Sequence, residues 1–214
     1  DNYGNKLIAT IVDGATFEWD SDGSTSTRAT LVTSAPTATR QTLVSTPDRH
    51  LVFFGTETTI GTTSTQDDMY IRWSEQEDIN TYAPSATNTA GTQRLADGTR
   101  IIAAIKGRDA IYIWTNHALF IMRFVGAPFV FSFQQVGTGC GLIGKNAAVE
   151  VDGSAYWMSE NGFFRYTGKL ESLPCLVEDY VYDDLNTVPR NHIYAGLNNL
   201  FGEVTWFYPG SGAA

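Results

Sequence analysis

The stretch VGTGCGLIGKN, residues 136–146, carries the spacing that most suggests phosphate chemistry. Gly139, Gly141 and Gly144 spell G-x-G-x-x-G, and Gly139 through Lys145 spell G-x-x-x-x-G-K. In a phosphate cradle such glycines let backbone N–H groups close on the anion, and the helix that follows points its N-terminus at it. Two features argue against that chemistry here. A P-loop needs Ser or Thr after the lysine to hold Mg²⁺, and this chain has Asn146. The residues that follow, AAVEVDGSAYWM, read as strand, turn and strand, so the dinucleotide fingerprint fails as well. The glycines are read as a tight connection between sheets, and no cofactor is expected.

Other candidate chemistry is thinner. Asp20-Ser21-Asp22-Gly23 opens like a calcium loop, but the twelfth position, which should supply a bidentate carboxylate, is Leu31. Asx turns account for that composition, and no metal is expected. His50, His117 and His192 share no ligand spacing, and no G-x-S-x-G elbow exists. Cys140 and Cys175 form no C-x-x-C and are read as buried free thiols. A glycosidase carboxylate pair is defined by separation in space, so sequence leaves that option open. Nothing positively indicates catalysis, and the reading is a non-enzymatic protein.

Charge is more informative. The chain of 214 residues has 23 acids, 14 Lys and Arg, and a net charge of −9. The excess lies in two patches. Residues 57–78 hold Glu57, Asp67, Asp68, Glu75, Glu77 and Asp78 against Arg72 alone. Residues 171–184 hold Glu171, Glu178, Asp179, Asp183 and Asp184 with no base. The remainder is nearly neutral. Such patches ordinarily serve as solvated loops that aid solubility.

The elements that must position these residues are short strands. LIATIV, RIIAAI, AIYIW, AYWMS, FFRY and IYAGL are rich in β-branched and aromatic residues and are separated by turn residues. Ile111 to Trp114 is apolar at every position, as in a strand covered on both faces. IYIWTNHALFIM, from Ile111, aligns without gaps with AYWMSENGFFRY, from Ala155, at an offset of 44. Similar openings occur at Leu7, Leu51 and Ile193, and this period suits four-stranded propeller blades. The expected fold is all-β, with propeller-like repeats of antiparallel four-stranded sheets; a β-sandwich is the alternative. Residues 1–214 are read as a single propeller-like domain, with residues 24–70 loop-rich and a mobile insert at 56–65. Two helical segments are expected: one turn at 74–77, from a capping box, and a short amphipathic helix near 175–185. The helix's apolar side should be Leu173, Leu176, Val177, Tyr180 and Leu185. The most apolar stretch, residues 118–133, is broken by Arg123, Gly126 and Pro128 and is too short to span a bilayer.

The succession IRWSEQEDINTYAPSATNTAG, IIAAIKGRDAIYIWTNHALFIMRFVGAP, VGTGCGLIGKNAAVEVDGSAYWMSENGFFRYTG, LPC and FGEVTWFYP resembles virion structural proteins of tailed bacteriophages. It is similar in particular to the tail-nozzle and packaged-DNA-stabilisation proteins of short-tailed phages. The resemblance covers residues 71–208, about two-thirds of the chain, and rests on a pattern of strands and glycine turns. It implies a homo-oligomeric ring, with six subunits as a candidate order, around a channel for double-stranded DNA in the virion. Other tail or adaptor proteins would be its partners, and assembly would take place in the bacterial cytoplasm. Members would be longer, so Asp1 at the start and the GSGAA end fit a fragment. On this reading Asp67, Asp68, Glu75, Glu77 and Asp78 face the channel and repel passing phosphates. The alternatives are a carbohydrate-binding propeller for host attachment, given five Trp and ten Tyr, and a propeller hydrolase.

Overall fold

The computed structural model describes residues 1–46 and 48–212. The fold is all-β, with propeller-like repeats of antiparallel four-stranded sheets. Two compact units make up the chain: Asp1–Ala96 with Phe124–Ser132, and Asp97–Arg123 with Phe133–Ala214.

The first unit holds two meanders in chain order. One is β1 (Asn2–Tyr3), β2 (Lys6–Thr10), β3 (Thr16–Asp20) and β4 (Thr30–Leu31); the other is β5 (Gln41–Ser45), β6 (His50–Phe54), β7 (Tyr70–Trp73) and β8 (Gly91–Arg94). Side chains alternate across a strand, so each sheet has two distinct faces. Ile8 of β2 packs with Val44, Leu51 and Phe53, which share one face of the second sheet. The other face of that sheet carries His50, Val52 and Trp73. His50 and Trp73 meet Phe131, at 5.1 and 5.3 Å between ring centroids.

The second unit holds β9 (Ile101–Lys106), β10 (Ile111–Thr115), β11 (Ala118–Gly126) and β12 (Val130–Thr138), with residues 124–132 of that last hairpin grouped in the first unit. Next come β13 (Ala148–Val151), β14 (Ser154–Ser159), β15 (Gly162–Tyr166) and β16 (Leu170–Leu173). The two-stranded sheet of β17 (Tyr194–Asn198) and β18 (Glu203–Phe207) follows. Trp114 of β10 lies edge-on to Trp157 of β14 at 5.4 Å, and Tyr112 meets Tyr166 at 5.9 Å. On the opposite face of the β13–β16 sheet, Phe163 meets Trp206 of β18 at 5.0 Å. Two indoles also bind backbone: Trp157 Nε1 donates to the Cys140 carbonyl (2.7 Å), and Trp206 Nε1 to the Ala147 carbonyl (3.0 Å).

The 44-residue offset is a register identity. Ile111 pairs with Met122 on β10–β11, and Ala155 pairs with Tyr166 on β14–β15, so both partners move by the same step. Leu7, Leu51, Ile111 and Ala155 all lie on the second strand of their sheets. Ile193 breaks the series, because it precedes the first strand of its sheet.

Two helical expectations need correction. Residues 74–77 form no helix: Glu75 and Asp78 bridge across a tight turn, and Glu77 takes a φ of 58°. The Ser74 hydroxyl serves the sheet instead, accepting the Leu51 N–H at 3.0 Å and donating to the Glu75 carbonyl. The later helix does form, as α1 (Glu178–Asp184), but it turns only part of the expected apolar side inward. The expected Leu173 and Leu185 pack inward together with Val181 and Tyr182, while Leu176, Val177 and Tyr180 are exposed. Tyr182 sets this rotation: its hydroxyl donates to Ser159 O (2.7 Å) and accepts the Gly162 N–H (3.1 Å) at the β14–β15 turn.

Candidate functional site

The five acids assigned to a channel wall all lie in the first unit, in the turns flanking β7. Folding brings them bases that are distant in sequence. Asp67 Oδ2 accepts from Arg94 Nε at 2.6 Å, and Asp67 Oδ1 accepts the Met69 N–H at 2.9 Å. Burial alone would raise the Asp67 carboxyl, but the Arg94 guanidinium and the Met69 amide hold it below the usual carboxylate range. Asp68 pairs with Arg40 at 3.0 Å, and Arg40 also reaches Asp13. Glu77 lies 3.5 Å from Arg49. Asp78 caps its own turn, accepting the Asn80 N–H and the Thr81 hydroxyl, both at 2.7 Å. Four of the five are therefore tied into turns or ion pairs. Glu75 points its backbone into a turn, donating its N–H to Thr81 O, and no side-chain partner of its carboxylate is seen among the described residues.

The sixth acid of that patch, Glu57, is fully buried. Its carboxylate accepts the Thr37 N–H (3.2 Å), the Thr37 hydroxyl and the Gly61 N–H (2.7 Å). The insert at 56–65, expected to be mobile, is pinned by these bonds between β6 and β7. Arg72 lies beneath it with its guanidinium buried. It donates to the carbonyls of Thr58 (2.9 Å), Tyr82 (3.2 Å) and Glu57 (3.3 Å), and burial pushes its pKa down. Sequence reasoning missed this pair. The signal was available: Arg72 sits in a strand, between Ile71 and Trp73, where a charge must find partners.

In the second patch, Glu171 accepts from Arg165 at 2.7 Å, and Asp184 accepts from the Ser211 hydroxyl at 3.0 Å. Asp179 and Asp183 are exposed. The patch surrounds α1, beside the exposed Leu176, Val177 and Tyr180.

The glycine stretch joins β12 to β13, so a strand follows it, as its sequence suggested. Gly141 lies against the chain: a Cβ there would meet the Asn116 carbonyl carbon at 2.2 Å. A Cβ on Gly144 would meet the Arg190 carbonyl oxygen at 2.2 Å. These two glycines serve close backbone approach.

One cluster has the composition of a hydrolytic triad. Asp97 Oδ1 lies 2.6 Å from His117 Nδ1, and Thr138 Oγ1 lies 3.1 Å from the same nitrogen. A relay needs the carboxylate on one ring nitrogen and the nucleophile on the other. Here both sit on Nδ1, and Gln135 Nε2 takes the second Asp97 oxygen at 2.5 Å. The His117 ring, with Thr138 and Gln135, holds the Asp97 carboxyl below its usual range. The cluster therefore ties the β10–β11 turn to β12. His50 is buried, with Nδ1 2.7 Å from Ser74 O and Nε2 without a polar partner among the described residues, its ring near those of Phe124 and Phe131. His192 stands in the turn before β17. Asp20 and Asp22 hold a turn, with Asp22 N–H on Asp20 Oδ1 at 2.9 Å. Both cysteines are free; Cys140 is buried, with its thiol pushed up by burial, and Cys175 is half-buried.

A cleft of about 370 Å³ opens between the β13–β16 sheet and the β17–β18 hairpin, with Tyr156, Trp206, Asp152 and Asn199 in its lining. No protein-family model matches the chain, and no curated protein matches it.

Proposed function

We propose that this chain is a non-enzymatic structural component of a bacteriophage tail, of the nozzle or head-to-tail stabilising kind, that builds a ring around the DNA channel. The observation that carries the reading is the repeat itself. Four-stranded meanders stack through aromatic faces, two of their hairpins in common register, while most of the acids singled out in residues 57–78 are committed to turns and ion pairs. A scaffold of that kind offers surfaces for assembly rather than a reaction centre. The resemblance over residues 71–208 points the same way, and net negative charge suits a conduit past which phosphates must move.

The test is negative-stain microscopy of the purified protein, with duplex DNA retention measured at low salt. Closed rings that retain no duplex support the reading. A dispersed monomer that binds glycans on an array, with binding lost in Trp206→Ala, overturns it in favour of carbohydrate attachment through the Tyr156–Trp206 cleft.

A further inference from the structure

Sheet stacking in this protein has a fixed polarity. In each four-stranded sheet, the face bearing Leu7, Leu51, Ile111 or Ala155 on its second strand can be called the leading face, and the opposite face the trailing one. In the first unit, trailing Ile8 packs on leading Leu51 and Phe53. In the second unit, trailing Tyr112 and Trp114 pack on the leading-face residues Tyr166 and Trp157. The trailing face then continues through Phe163 onto Trp206 of the last hairpin. The same apolar, aromatic junction recurs each time.

Two faces of this type are left partly exposed. The leading face of the first sheet carries Leu7 opposite Trp19, Ala9 opposite Phe17, and Leu31 beside Phe17. Leu7 and Leu31 are 51% and 50% exposed. The trailing face of the last hairpin carries Tyr194 opposite Phe207, at 49% and 63% exposure. One is a leading face and the other a trailing face, so together they have the chemistry and polarity of the junctions already inside the chain.

We propose that the trailing face of β17–β18 in one copy seats on the leading face of β1–β4 in a second copy. This is a head-to-tail contact between different patches, which generates a ring if its rotation closes and a filament if it does not. It rests on the proposed ring for closure only. The contact extends the β9–β12, β13–β16, β17–β18 stack by one more sheet. It takes up side chains that would otherwise hold apolar surface in water.

Complementation of blocked faces tests it. Leu7→Arg with Leu31→Arg blocks the leading face; Tyr194→Arg with Phe207→Arg blocks the trailing face. Native mass spectrometry and light scattering should show the unmodified protein self-associating and each variant alone monomeric. An equimolar mixture should form a 1:1 heterodimer and stop there, since each partner keeps one usable face. Unchanged thermal unfolding establishes that the variants are folded, and Thr replaces Arg at the same positions if it does not hold. A monomeric unmodified protein, self-dimers of either variant, or a mixture that stays monomeric or grows beyond two overturns the contact. Rings that persist in both variants sink the contact and leave the ring standing; filaments in the unmodified protein with 1:1 complementation sink the ring and leave the contact.

Discussion

Buried charge and buried imidazole decide what individual residues do here. Arg72 donates to the carbonyls of Glu57, Thr58 and Tyr82, and the Glu57 carboxylate gathers Thr37 and Gly61. Removing the guanidinium leaves the Glu57 and Tyr82 carbonyls without this buried donor. Arg72→Leu should destabilise the first unit by about 3 kcal/mol, read from urea unfolding. His50 makes the second prediction. Burial holds its pKa below the ordinary 6.5. The unfolded chain then binds the proton more readily, so the stability it contributes is complete above pH 6.5 and is lost as pH falls through the lowered folded value. Urea midpoints between pH 8 and pH 5 should fall in the acidic half of that range. His50→Leu should flatten that part of the decline, and an unchanged slope would refute the assignment.

At the scale of elements, the connection from β12 to β13 tests what the glycines are for. Gly141 and Gly144 press on the backbone of Asn116 and Arg190, while Gly139, at a φ of 69°, faces open space. Gly141→Ala and Gly144→Ala should each cost about 1–3 kcal/mol through overpacking. Gly139→Ala should cost about 1 kcal/mol from backbone strain alone. Lys145→Ala should leave stability unchanged. Nucleotide titrations should give no saturable binding in the unmodified protein; binding that vanishes in Lys145→Ala would reinstate the phosphate cradle. Helix α1 shows the limits of periodicity at this scale. Two overlapping apolar sets fit a seven-residue helix, and the Tyr182 hydroxyl on the β14–β15 turn selects one of them.

For the whole molecule, ion pairing and turn caps leave few acids of residues 57–78 free to repel a passing phosphate. Replacing Asp67, Asp68 or Asp78 would break a turn cap or an arginine pair as well as change charge. Glu75 and Glu77 are the residues whose reversal changes the field with least structural cost, since an exposed pair such as Glu77 with Arg49 contributes little. Under the proposed function, Glu75→Lys with Glu77→Lys should leave assembly intact and slow DNA ejection, because repulsion reaches only ~8–10 Å in salt. Ejection at the normal rate would leave these acids as solubilising residues.

Strand positions, the repeat and the register were legible in the sequence, because alternation and turn chemistry are local and each hairpin closes within a few residues. The offset of 44 between Ile111 and Ala155 carried the pairing of both hairpins with it. Ser74 to Glu77 misled for the same reason: a capping box is a local signal, and the strand pairing of Leu51 with the Ser74 hydroxyl outweighs it. Only the tertiary structure decided which charges stand alone. Asp67 with Arg94 and Asp68 with Arg40 join residues 27 and 28 apart, so part of an acid-rich stretch of sequence becomes a paired surface. Tertiary structure also decided which apolar faces find a neighbour. Leu7 and Leu51 hold the same place in their repeats, yet Leu51 is buried in a cluster with Ile8 of the sheet before it, and Leu7 stays half-exposed.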